Sequence, residues 1–528
     1  MGRSKIILVG VGALLLGGAA FAWYWFNSHT SDVHLKYIPK EAAAVFSIHT
    51  RELATKIDPS KMDGLKPVTQ TVNDIPDFLM NLMTDPFNTG IDPVQNIYGY
   101  MEKHEQSTAS ALVVAIDDES EFSTFVKKMF PERKAEDVGD FKYVDVDDTR
   151  ALAWNGEAAL FVAVDGMDIR AYTEGLFNQP EGASIQTNAE FMAFNGKTFD
   201  AGLFTDNKRL SSLNTEASSL SLIGMSEGNS QFMMRFEQNE IVTEYIAPQQ
   251  KAPLFKPQGP GAADLELLGM KDPLIFMGFN FDVKQLLSSS SNDEAMSQNV
   301  DMMTAALGMS QEEMTQLFTG TVTAAVSDYQ DIYNTDPRVQ KEMKTLLGDN
   351  FDDGMASTFL STVMHIEVPI TSISLGITDE KKANDMLMMI GMKPQDGGFW
   401  AAPGVELVVY AVVKSNHLVI TNDYLTAETI AKNGKLPGKL PADYAAKVPG
   451  QPFSLWMDFD KSHLPGLLIA PQNPILGAED LASYVSLSDI FSSARYESSA
   501  TGSVFRFTLP DSNENSLVRM IKYMSPAQ

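Results

Sequence analysis

The 528-residue sequence contains no cysteine. Disulfides, thiolate nucleophiles, iron–sulfur clusters and cysteine-ligated zinc are excluded with it. A lipid anchor carried on cysteine is excluded too. Positive charge is scarce: 40 Lys and Arg stand against 68 Asp and Glu, a formal net charge of −28. No Lys/Arg-rich run offsets that field, which repels phosphate backbones, so nucleic acid is not an expected partner. The histidines, His29, His34, His49, His104, His365, His417 and His463, form no His-x-x-x-His or His-Glu-x-x-His pair, and no helical zinc site follows. There is no Gly-x-Ser-x-Gly elbow and no Walker loop. The stretch GPGAAD, from Gly259, lacks the third glycine of a dinucleotide loop. No catalytic, metal or cofactor-binding residue is therefore assigned, and no cofactor is expected.

Long apolar runs are also lacking, with one exception at the start. Residues 6–26, IILVGVGALLLGGAAFAWYWF, carry no charge and follow Arg3 and Lys5. A transmembrane helix needs ~20 apolar residues and is often closed by interfacial aromatics, which Trp23, Tyr24, Trp25 and Phe26 supply. A signal peptide has a shorter apolar core and a small-x-small cleavage site, which Ala20-Phe21-Ala22 supplies. The preferred expectation is an uncleaved anchor, with the membrane as partner through residues 6–26. The alternative is a periplasmic or secreted chain cleaved after Ala22. Either way the remainder is expected outside the cytoplasm, on the periplasmic side of a bacterial inner membrane.

What is present in quantity points to globular structure: 44% of residues are apolar and 20% charged. At ~100–200 residues per domain the length allows two to four domains. The Pro/Gly-rich stretch 247–264 reads as a linker. The expected layout is a membrane anchor or signal segment (1–26), a tether (27–36), a first half (37–246), the linker and a second half (265–528).

Two recurrences connect the halves. ALVVAIDDESEFSTFVKKMF from Ala111 matches SISLGITDEKKANDMLMMIG from Ser372. Each reads as a strand, a cap at Asp117 or Thr378, then an amphipathic helix, and Asp118 with Glu121 resembles a capping box. Paired strands follow, turning at Asn155-Gly156 in one half and near Ser415-Asn416 in the other. A shorter pattern ends a strand on a capping residue with a leucine four positions on: His49/Leu53, Asp206/Leu210, Asp282/Leu286 and Asp460/Leu464. The cap accepts orphan N–H groups and the leucine turns back to the sheet. His49 is expected to share this scaffold role with Thr50. The fold class that follows is α+β: two related halves of antiparallel sheet, helices on one face of each, after an N-terminal transmembrane helix.

The opening YIPKEAAAVFSIHTRELATKI resembles an uncharacterised family of bacterial cell-envelope proteins, mostly lipoproteins, defined only as a domain of unknown function. Its Tyr-[Ile/Val]-Pro-x-[Asp/Glu]-Ala motif is matched by Tyr37, Ile38, Pro39, Glu41 and Ala42. The hairpin around Trp154-Asn155-Gly156 is similar as well. The resemblance implies an envelope location, and it transfers no catalytic residue; an envelope protein is the further partner expected of a binding or assembly factor. The missing lipidation cysteine departs from the family pattern and favours a protein anchor.

Two side-chain groups remain as candidates. Asp145, Asp147 and Asp148 form one acidic cluster, and Asp349, Asp352 and Asp353 another. The second fails as a calcium loop at Phe351 and Leu360. Methionines cluster at Met386, Met388, Met389 and Met392, and at Met302, Met303, Met309 and Met314. Such thioethers fill cores or line adaptable grooves. Three functions follow in order: a non-catalytic binding or assembly factor, a carrier or chaperone for a lipid or apolar peptide, and a carboxylate-based hydrolase.

Overall fold

The computed structural model describes residues 32–56, 89–104, 107–212, 228–248, 255–268, 273–289, 304–305, 307–330, 336–339, 341, 345, 368–403, 409–436, 440–459, 490–499, 502–510 and 515–524. The fold is mixed, built on antiparallel sheet with several helices. Contacts divide the chain into two compact units, residues 1–250 with 511–528, and residues 251–510. The apolar run 6–26 lies outside the described residues. Among those described, no helix is long and apolar enough to cross a membrane.

The first unit contains β1 (Ala44–Ile48), α1 (Thr50–Lys56), β2 (Ile97–His104), β3 (Ser107–Ala115), α2 (Glu119–Met129), β4 (Glu136–Val138), β5 (Phe141–Asp147), β6 (Arg150–Trp154) and β7 (Ala158–Asp165). It continues with α3 (Ile169–Phe177), α4 (Ala189–Asn195), β8 (Ala201–Asp206), α5 (Asn207–Ser211), β9 (Asn229–Phe236) and β10 (Glu240–Ile246). The antiparallel order is β10-β9-β8-β1-β2-β3-β7-β6-β5-β4. The second unit contains β11 (Ile275–Asn280), α6 (Val283–Ser289), α7 (Gln311–Leu317), β12 (Phe318–Gln330), β13 (Val368–Ile377), α8 (Glu380–Met389), β14 (Lys393–Pro394) and β15 (Trp400–Ala401). After these come β16 (Tyr410–Lys414), β17 (His417–Thr421), α9 (Tyr424–Asn433), β18 (Phe453–Asp458), β19 (Ser493–Ser498) and β20 (Gly502–Thr508). Its order is β20-β19-β18-β11-β12-β13-β17-β16-β15-β14, again antiparallel. Adding ten to each strand number of the first unit reproduces the second.

The duplication extends to side chains 261 positions apart. Asp118 accepts the Glu121 N–H at 2.9 Å, and Asp379 accepts the Lys382 N–H at 3.0 Å. Phe122, Phe125 and Val126 are buried on α2, as Ala383, Met386 and Leu387 are on α8. One residue on the same turn of each helix accepts an indole N–H: Ser123 from Trp154 at 3.1 Å, and Asn384 from Trp400 at 2.8 Å. The caps are thus Asp118 and Asp379, one residue later than Asp117 and Thr378. Thr378 instead directs its hydroxyl to the carbonyls of Gln316 and Leu317.

Helices cover both faces of each sheet, which corrects the one-face expectation. On β6, Ala151 and Ala153 join one core while Leu152 and Trp154 join another. Without polar alternation neither face tolerates water, so each needs a cover. In the first unit α3 covers one face through Ile169 and Leu176, and α2 covers the other through Phe122, Phe125 and Val126. In the second unit α9 and α8 divide the same task, through Ala427 and Ile430, and through Ala383, Met386 and Leu387.

Other joints shift in detail. The β6–β7 turn centres on Gly156-Glu157, one residue later than expected, because the Asn155 carboxamide accepts the N–H groups of Glu157 (2.9 Å) and Ala158 (3.0 Å). Ser415 and Asn416 turn with φ of 52° and 59°, the two positive values that a type I′ hairpin turn needs. Asp206 caps α5 through the Arg209 N–H, and Asp282 caps α6 through the Gln285 N–H. Leu53 and Leu210 are buried as expected, whereas Leu287 rather than Leu286 is buried on α6. Asp460 and Leu464 lie outside the described residues. Part of the 247–264 stretch is docked on the second unit, with the Gly259 N–H bonded to the Pro449 carbonyl at 3.2 Å. The C-terminal helix, Ser516–Met524, belongs to the first unit: the Ser516 N–H bonds the Glu237 carbonyl at 3.0 Å.

Candidate functional site

A groove of about 830 Å³ opens in the first unit where the Tyr37 motif meets the β6–β7 hairpin. The chain reaches it through a short 3-10 turn, Val33–Tyr37, whose Leu35 and Tyr37 are buried. The Tyr37 hydroxyl accepts the Asn155 carboxamide N–H at 2.8 Å and donates to Glu157 at 3.1 Å. Lys36 pairs with the same carboxylate. The two stretches that carry the family resemblance therefore touch, 118 residues apart in sequence.

The floor is apolar and aromatic. Phe177 stacks on Phe141 at 4.2 Å with an 11° interplanar angle, and Tyr37 lies 5.0 Å from Phe177. Glu174, Glu181, Asn178 and Gln179 from the end of α3 and the chain after it form the polar rim. The bond from Lys36 holds the Glu157 carboxyl below its ordinary range, and burial raises the Tyr37 hydroxyl. Glu174 is engaged by Arg170 at 3.3 Å. The arrangement offers shaped surface and fixed charge, and the Glu157 carboxylate is already committed to a neighbouring cation.

A smaller hollow, about 260 Å³, lies beside the start of the described chain. Asp32 accepts from the Tyr98 hydroxyl (2.8 Å), the Asn96 carboxamide (3.1 Å) and the Asn195 carboxamide (3.4 Å). His34 is fully buried, with Nε2 2.7 Å from the Asn96 carbonyl and Nδ1 without a partner. His49 lines the hollow, stacks on Phe199 at 4.0 Å and approaches Asn195 at 3.4 Å. Burial depresses both imidazoles below the usual histidine range. The His49 side chain is therefore not a helix cap, although its carbonyl accepts the Leu53 N–H at 3.1 Å, as that of Asp282 accepts the Leu286 N–H at 2.9 Å. Thr50 is not one either, since its hydroxyl bonds the Gln95 carbonyl at 2.9 Å. Equivalent backbone bonds, Ala43 N–H to Met101 and Leu274 N–H to Val326, make Asn280, two residues before Asp282, the counterpart of His49 in the second unit. Asp32, Tyr98 and Asn195 carried no sequence signal, being brought together from 66 and 97 residues away.

The remaining sequence candidates are held structurally. His104 bonds Glu102 at 2.7 Å, and that carboxylate also accepts the Tyr172 hydroxyl at 2.6 Å. His417 bonds Asp264 at 2.6 Å. Asp147 pairs with Arg150, and Asp145 accepts the Tyr143 hydroxyl at 2.7 Å. Among the described residues no group of three or more His, Asp or Glu is placed to hold a metal ion. Met386 and Met314 are core residues, while Met388 and Met389 are 63% and 62% exposed. His29, His365, His463, Met302, Met303 and the Asp349 cluster lie outside the described residues.

Residues 35–339, which begin at the Tyr37 motif, match the family described as a domain of unknown function, DUF4836. The chain belongs to the DUF4836 family. That description names neither a location nor an activity. No curated protein matches the chain. Solved structures of TP0453 in crystal forms I, III and IV are similar at 9% identity, with TM-scores of 0.27, 0.28 and 0.27. The likeness covers 43%, 43% and 41% of this chain and 82%, 84% and 81% of those chains. At that distance it carries no argument for this DUF4836 member.

Proposed function

We propose that the protein is a non-catalytic, membrane-anchored envelope factor that binds a partner segment in the Tyr37–Asn155–Phe177 groove. The observation that carries this reading is the groove itself, large enough at about 830 Å³ for a ligand or a short peptide segment. Its Glu157 carboxylate is already tied to Lys36 and Tyr37. A carboxylate so held shapes a surface and fixes its charge, whereas a general acid needs a proton to give near neutral pH. The uncharged run 6–26, with its basic start and aromatic end, supports anchorage and a location outside the cytoplasm.

The test is photo-cross-linking in intact membranes, with a benzophenone amino acid at Asn178. A discrete adduct that Glu181→Arg removes is the expected result. Adducts that are absent, or unchanged by Glu181→Arg, overturn the groove as a binding site.

A further inference from the structure

We infer that the face of the first unit around Asp32, His49, Arg51, Lys197 and Thr198 rests on the membrane headgroups, an inference that depends on residues 6–26 being the anchor. The argument starts from where the chain becomes fixed. Asp32 is held by three donors and His34 is wholly buried, so the fold grips the chain from residue 32 onward. Only residues 27–31 lie between this grip and the last aromatic of the apolar run, Phe26. Six Cα steps from residue 26 to residue 32 span at most about 20 Å. A compact unit of some 250 residues has a radius of gyration of about 18 Å, hence a diameter of about 45 Å. A leash shorter than half that diameter does not let the unit turn its Asp32 side away from the bilayer.

Local charge fits this placement. The hollow beside Asp32 is lined by Arg51 and Lys197 against Asp32 and Glu52, a formally balanced set in a chain of net charge −28. An acidic surface is repelled by anionic headgroups, so a balanced face is the side that approaches them most easily. Met192, 39% exposed and one turn from Asn195 on α4, adds an apolar contact beside the hollow.

The native absence of cysteine makes the test direct. Thr198→Cys and Asp137→Cys variants of the full chain each carry one fluorophore, and the protein is reconstituted in phosphatidylcholine/phosphatidylglycerol vesicles containing a nitroxide-headgroup lipid. Asp137 lies on β4, five strand spacings from β2 and so about 24 Å across the sheet. Quenching at least threefold stronger at position 198 than at 137 is expected. Inserting twenty Gly/Ser residues after Ser28 lengthens the leash to about 90 Å and brings that ratio toward one. Equal quenching at the two positions, in protein that sediments with the vesicles, overturns the orientation and leaves the anchor standing. Protein that does not sediment with them, or a mature chain beginning at Trp23, overturns the anchor reading and the orientation with it.

Discussion

Asn155 joins the Tyr37 motif to the β6–β7 hairpin through one carboxamide, and its removal has a calculable cost. The oxygen accepts from the Glu157 and Ala158 N–H groups, and the nitrogen donates to the Tyr37 hydroxyl. At a net value of about 1 kcal/mol per bond, Asn155→Ala should cost about 3 kcal/mol of local stability. Tyr37→Phe removes the bonds to Asn155 and Glu157 from a residue only 3% exposed, and should cost about 1–2 kcal/mol. The two substitutions share one bond. The double variant should therefore lose about 1 kcal/mol less than the sum of the singles. Native-state hydrogen exchange, read on peptides covering β6 and β7, measures all three losses. A coupling below about 0.3 kcal/mol is what separated, independent sites show. That value would refute the contact, and with it the claim that motif and hairpin form one site.

Gly90 has φ +72°, and a Cβ there would stand 2.2 Å from the Asp118 carbonyl oxygen and 2.4 Å from the Phe122 nitrogen. Gly90→Ala should cost about 3 kcal/mol through left-handed strain and overpacking, while Gly139→Ala, at φ +59° in open space, should cost about 1; thermal midpoints compare them. Asp118→Ala and Asp379→Ala should each lose about 1 kcal/mol as N-caps, with exchange rising first in α2 and α8 respectively; equal rates in variant and wild type would count against the caps. Burial lowers the His417 imidazole, but its bonds to Asp264 and to the Ser415 carbonyl outweigh that and leave it raised. Its contribution is complete below the ordinary histidine value of about 6.5 and fades as pH rises through the higher folded value. The midpoint deficit of His417→Gln should thus be larger at pH 5.5 than at pH 8.5, and a deficit that grows with pH would contradict the sign.

Sequence exposes what is local. The recurrence of Ala111–Phe130 at Ser372–Gly391 was legible because a cap and the apolar positions on a helix face lie within a few residues of one another. The Ser415-Asn416 turn was legible for the same reason. The helices on the second face followed from β6 and β7 being apolar at consecutive positions, a signal present in Ala151–Trp154 but outweighed by the expectation of alternation. By its place in the strand His49 is the counterpart of Asn280, yet its carbonyl accepts the Leu53 N–H as that of Asp282 accepts the Leu286 N–H, so it shares the helix-start position of Asp282 without the capping side chain. The Asp32 network leaves no local trace, since Tyr98 and Asn195 reach Asp32 only after β2 and the end of α4 are in place. The groove is half visible in the sequence: both of its linked stretches carry local motifs, and only the fold brings the Tyr37 hydroxyl to Asn155.

The return of the C-terminus to the first unit has a consequence for biogenesis. Leu517 and Val518 are buried and Asn515 bonds the Phe236 carbonyl at 2.9 Å, so the surface next to β9 stays unfinished until residues 515–518 are made. From Ile246 to Asn515 the ribosome must add 269 residues, 515 less 246. At roughly 5–20 residues per second this takes some tens of seconds. During that interval the emerging N-terminal unit presents an uncapped apolar seam, the kind of surface that holdase chaperones bind and proteases sample. A nascent chain stalled just before Asn515 would carry all ten strands of that unit and still lack its closure.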